Sequence, residues 1–153
     1  MPTTAPPLLV YPHPASLGLR RPPRSDLHPT SGLANNWALD FMAPGGTKVY
    51  APEASTVLRL SGHDPSLGEV QPSIFGFSVY LHTPSGIIYF LTHLGHVSVP
   101  LGRKLKASWL IGTVGHWPND PGRSHTHLGV THPGGVTAAK NYVCKIAQAP
   151  MIK

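Results

Sequence analysis

Eighteen prolines and sixteen glycines punctuate a chain of 153 residues, and that density limits the fold more than any other feature. Both residues penalise helix interiors, so short strands joined by turns are expected. The prolines are unevenly spread. Residues 1–30 hold eight of them, including Pro6-Pro7 and Pro22-Pro23. This stretch reads as an extended arm, either laid along another surface or mobile. Residues 31–135 read as one β domain with a single modest core, and residues 136–153 as a C-terminal extension.

Within the β domain, apolar runs alternate with turn signals. Trp37–Met42 ends at Ala43-Pro44-Gly45-Gly46, Lys48–Ala51 follows, and Thr56–Leu60 alternates before Ser61-Gly62. Residues 61–73 read as a loop. Phe75–His82 and Gly86–His93 flank Thr83-Pro84-Ser85-Gly86, a hairpin signal. Val97–Val99 leads to a turn at Pro100–Arg103. Leu110–Gly115 and His125–Thr131 are the last strands, separated by a loop over 116–124. Residues 138–149 fit either a helix or a further strand. About seven strands at this spacing imply a mostly β, antiparallel sandwich or barrel-like core.

Twelve Lys and Arg against six carboxylates give a formal charge of +6. A basic surface favours polyanionic partners such as nucleic acid, anionic lipid or cell-wall polymers. No basic run exceeds Arg20-Arg21, and no motif interleaves basic and aromatic residues, so nucleic-acid binding rests on charge alone and is not expected. Cys144 is the only cysteine, which excludes an intrachain disulfide and a cysteine zinc knuckle. No stretch approaches the roughly 18 apolar residues of a membrane span. Met1–Val10 lacks the basic start and long apolar run of a signal peptide, so none is expected.

The chemistry concentrates in a few positions. His125 and His127 are two apart in a strand, which places both imidazoles on one face. Such a pair can reach one metal ion, or one ring can ligate while the other handles a proton; two solvent-facing histidines are the plain alternative. Asp40 lies inside an apolar run, where a buried carboxylate needs a cation, a histidine or several donors, unless it faces solvent from an edge strand. His93 ends the run from Ile87, where a strand exits into a loop and a side chain can enter a cleft. His13, His63 and His82 read as surface residues. His116 and Trp117 stand where they can meet a substrate, and His96 and His132 also flank these positions in sequence. Asp64 and Asp120 read as turn residues.

Taken in order, these fragments resemble the lysostaphin/LytM-type zinc metallopeptidases, which cut the peptide cross-links of bacterial peptidoglycan. The resemblance runs from about Asn36 to Val130. It is carried by Asp40–Pro52, Tyr89-Phe-Leu-Thr-His-Leu94, Val99–Leu105, Ile111-Gly-Thr-Val-Gly115 and Ser124-His-Thr-His-Leu128. It implies a duplicated antiparallel β-sheet core with an open groove for an extended peptide. It also implies that Asp40 and His127 ligate zinc, while His93 and His125 line the cleft. There they would orient a water, pass a proton to the leaving amine or stabilise the oxyanion. Ser55 stands where the family often has glycine. One departure touches the metal: the family's first ligand, a histidine four residues before the aspartate, is here Asn36, a poor zinc ligand. Either His28 supplies the missing nitrogen, as an upstream histidine does in similar phage-encoded relatives, or the site is degenerate.

The expectation is therefore a zinc endopeptidase acting on bacterial peptidoglycan, as a phage lysin or tail-associated enzyme, virion-associated or released to the wall. The arm would serve contacts with other virion or tail proteins. The alternative is a structural or wall-binding virion module that keeps the peptidase fold with an impaired site. A third reading, a sugar-transport phosphocarrier domain, is disfavoured by the Asp40 run and by missing partner signatures.

Overall fold

Alternation along residues 36–42 puts Leu39 and Phe41 on one side of a strand and Asp40 and Met42 on the other, and the whole molecule follows that division. The computed structural model describes residues 7–62, 76–117 and 120–153. Among these, the strands are β1 (His28–Pro29), β2 (Asn36–Met42), β3 (Lys48–Tyr50), β4 (Ser55–Ser61), β5 (Phe77–His82), β6 (Ile88–Val97), β7 (Lys104–Leu105), β8 (Leu110–Val114) and β9 (His125–Thr131). Among the described residues one α-helix, α1 (Val136–Ala147), follows, besides three single-turn 3-10 helices. The count exceeds the expected seven because β1 and β7 are two-residue pairings without a periodic signature. His63, Asp64 and most of the expected 61–73 loop lie outside the described residues.

All pairings are antiparallel, in the order β1-β2-β9-β6-β5-β4-β7, with β8 joined to both β3 and β6. The sheet does not close into a barrel. Strand β6 explains its shape by serving two partners in turn. Its first half pairs with β9 as far as Thr92↔His127, and its second half pairs with β8 from Leu94↔Val114. His93 sits at the changeover with φ of +68°. A non-glycine residue in the left-handed region costs roughly 1–3 kcal/mol, a strain that persists only where the surroundings fix it.

On the closed face, Leu39, Phe41, Val79, Leu81, Tyr89, Leu91, Leu128 and Val130 form the core. Helix α1 packs there against β2 and β9, burying Ala139, Val143, Ile146 and Ala147 at helical spacing. This resolves residues 138–149 in favour of a helix. Glu53 accepts hydrogen bonds of 2.6 Å from both Tyr89 and Tyr142, tying α1 to β6. Burial and the neighbouring carboxylate raise both phenols well above their usual range, which keeps them as donors.

The described part of the arm lies on its own sheet. Val10 N–H donates to Pro52 O, Tyr11 N–H to Pro150 O, Tyr50 N–H to Pro12 O and Ala15 N–H to Ile152 O. Arg21 caps the end of α1 through Ala147 O and Ala149 O, with its guanidinium 5.0 Å above the Tyr11 ring. Tyr11 and His13 are fully buried. The surface position expected for His13 is therefore corrected. Its Nδ1–H donates to Lys48 O, and burial holds the ring below its usual pKa and so neutral. His82 is exposed, as expected. The arm ends in β1, where His28 pairs with Ala38 and Pro29 with Trp37.

Candidate metal centre

Opposite the core, the β2–β9 register sets Asp40 against His127 and Met42 against His125, so the carboxylate and both imidazoles share the open face. Strand β1 lays His28 beside them. Three imidazoles meet at Asp40 Oδ1: His127 Nδ1 at 3.1 Å, His28 Nε2 at 3.4 Å and His125 Nε2 at 3.6 Å. His28 Nε2 and His127 Nδ1 are 3.4 Å apart.

The outer nitrogens of these rings determine what the inner ones offer. Carbonyl oxygens only accept, so His28 Nδ1–H donates to Asp26 O at 2.9 Å and His125 Nδ1–H to Arg123 O at 2.6 Å. The third ring is fixed by a relay. Asn36 Nδ2 donates to Thr131 Oγ1, Asn36 Oδ1 accepts from Thr30 Oγ1, and Thr30 is left to accept from His127 Nε2–H at 2.9 Å. Each neutral ring therefore turns a lone pair toward the carboxylate. Lone pairs on three nitrogens and a carboxylate oxygen repel unless a cation or a ring proton lies between them. With protonated rings in place of a metal, partial burial raises the Asp40 carboxyl, but the hydrogen bond with His127 and the charges of His125, His28 and His127 outweigh it and hold the group below its usual value.

The donor set fits zinc. Ligands at about 2.0–2.1 Å in a tetrahedron stand about 3.3 Å from one another. The His28–Asp40–His127 separations of 3.1, 3.4 and 3.4 Å match that spacing. These three residues form a group that could hold a metal ion.

Asn36, buried at 1% exposure, points its amide into the relay beneath His127. Gly129 leaves room for it: a β-carbon there would overlap Asn36 Oδ1 and sit 2.6 Å from Thr30 Oγ1. Thr30 looks like an ordinary turn residue in Pro29-Thr-Ser-Gly32, and nothing in the sequence marks it as His127's support. Outer-shell partners of this kind are worth about 10–100-fold in metal affinity. Thr30→Val is accordingly expected to weaken zinc binding by that factor in a chelator competition, with Thr30→Ser restoring it. Wild-type affinity in Thr30→Val would remove the relay from the account.

The structure brings His93 to the same place. Its ring lies 4.7 Å from that of His125 and 6.1 Å from that of His127. Trp117 completes the wall, stacked on His125 at 5.7 Å and edge-on to His93 at 5.6 Å. The sequence places Trp117 where it can meet a substrate; in the structure it also packs against the two histidines. His116 is exposed, its ring lying where a β-carbon on Gly45 would be. His96 is exposed on β6, and His132 turns toward Tyr142 of α1. Asp120 pairs with Arg123 in its loop at 3.5 Å. Thus His28, Asp40, His93, His125 and His127 converge, while His96 and His132 point elsewhere.

An open, mostly antiparallel sheet with one short helix is the lysostaphin/LytM-type fold. Comparison with solved structures shows the likeness. The chain is similar to lysostaphin, with a TM-score of 0.53, 19% identity and 79% of this chain matched to 47% of that one. It is similar to a chain of the SpoIIQ–SpoIIIAH pore-forming complex, with a TM-score of 0.54, 18% identity, and 88% and 92% coverage. Helicobacter pylori Csd3 matches with a TM-score of 0.50 and 16% identity, over 90% of this chain and 38% of that one. The chain thus spans about half the length of lysostaphin. By sequence it matches no protein-family profile and none of the curated proteins.

Proposed function

We propose that this chain is a zinc-dependent endopeptidase that hydrolyses peptide cross-links of bacterial peptidoglycan, with His28, Asp40 and His127 holding the metal. The observation that carries this reading is the convergence of the His28 and His127 lone pairs and the Asp40 carboxylate oxygen at tetrahedral spacing on an open sheet face. Zinc in such a site supplies a Lewis acid that activates water and polarises a carbonyl. His125 and His93, side by side at the mouth, take the proton-handling and oxyanion-stabilising roles. Arg123 O fixes the His125 tautomer, so the free Nε2 accepts a proton on the cleft side. Trp117 packs on both rings and limits their rotation.

Peptidoglycan as substrate is supported by the lysostaphin fold and the charge of +6. A phage lysin or tail-associated enzyme is the setting we favour, on the upstream position of His28. His125→Ala is expected to retain zinc and lose cleavage by about 10²–10⁴-fold, the usual worth of a general acid–base residue. The assay is release of new amino groups from purified peptidoglycan, with zinc measured on the same sample. An active variant would refute the catalytic role, and loss of zinc would make His125 a ligand.

A structural module is the second reading. What favours it is that the chain matches 92% of a chain from a complex described as pore-forming. Wall binding without zinc and without cleavage would select it.

A further inference from the structure

Beyond His127, three neighbouring strands carry a continuous strip across the same open face. The Phe90 ring lies 6.0 Å from the His127 ring, the Tyr80 ring 4.9 Å from Phe90, and the Arg59 guanidinium carbon 5.4 Å from the Tyr80 ring centre. The register makes these direct cross-strand partners, Phe90↔Tyr80 and Tyr80↔Arg59. Both aromatic rings are half-exposed and Arg59 is exposed. A register shift between Val57 and Arg59 turns the arginine onto this face. Bulges commonly re-aim side chains beside functional sites.

Cross-strand packing accounts for the two rings. It leaves the guanidinium unexplained. Among the described residues Arg59 forms no ion pair: Asp40 belongs to the histidine cluster, Glu53 to the two tyrosines and Asp120 to Arg123. Held over Tyr80, the planar guanidinium fork keeps its N–H donors for a ligand, a geometry that suits a carboxylate. Strands β9, β6, β5 and β4 lie in sequence, and three steps of about 4.8 Å give a strip of about 14 Å. An extended peptide covers that in about four residues.

Resting on the proposed function, we propose that Phe90, Tyr80 and Arg59 form a binding subsite for an extended acidic peptide, its backbone crossing the two rings and a carboxylate held by Arg59 about four residues from the bond at the histidine cluster. Charge complementarity and continuity with the cluster select this occupant over a neutral chain.

The test measures binding of the full-length protein to soluble peptidoglycan fragments, either with free carboxylates or with those carboxylates converted to amides. Wild type is expected to prefer the acidic form by roughly tenfold or more, the worth of a charge-assisted hydrogen bond. Arg59→Gln should bind both forms alike while retaining wild-type zinc content, and Arg59→Lys should regain part of the preference. Tyr80→Leu should weaken both forms, the acidic one more, because it removes the ring that holds Arg59. An unchanged preference in Arg59→Gln overturns the subsite, as does wild type binding both forms equally or binding neither. Arg59-dependent preference in a protein that holds no zinc and cleaves nothing would keep the subsite and reject the peptidase instead.

Discussion

His127→Ala is expected to empty the site of zinc and abolish cleavage together. His127 is held from both sides: Nε2–H donates to Thr30, and Nδ1 faces Asp40 and His28. Removing it deletes a donor to the metal and leaves Thr30, already committed to Asn36, without its second partner. The loss of affinity should exceed the roughly 10–100-fold of an outer-shell change. Elemental mass spectrometry after dialysis checks the metal, and circular dichroism checks that the sheet persists. Unchanged zinc in a folded variant would sink the ligand assignment.

The second large effect concerns the arm. His28 is carried by a two-residue strand at the sheet edge, so filling the site and docking the arm are linked. A ligand at 100 times its Kd stabilises the state that binds it by about 2.7 kcal/mol. Zinc is therefore expected to slow proteolysis within residues 7–30 by up to about a hundredfold in the wild type. His28→Ala should hold zinc far more weakly and lose that protection. Equal affinity and protection in the variant would pass the role to water, since the Asn36 amide is already spent on Thr30 and Thr131.

Much of this centre could be read from the chain because strand periodicity is local. His125 and His127 share a face for the same reason that Asp40 and Met42 do, and the antiparallel pairing of those strands joins the two sets. The upstream histidine was legible only as a candidate; its placement depends on β1, whose two residues carry no pattern. The relay was not legible. Thr30, Asn36 and Thr131 come from three separate segments, and only the register brings them under His127. The arm was read as mobile or bound elsewhere because proline content reports an extended backbone and not its partner. The main chain of residues 52, 150 and 152 supplies that partner. His13 shows the same limit: a histidine among prolines looks exposed, yet the docked arm buries it completely. Helix α1 is not legible because its residues locally fit a helix or a strand, and the core that favours the helix is built from distant strands.

Whether the converging lone pairs form a zinc site is decided by the metal content of the untagged protein, measured by elemental mass spectrometry. About one zinc per chain, retained through dialysis, is expected. Protein that stays metal-free even after zinc is offered would contradict it.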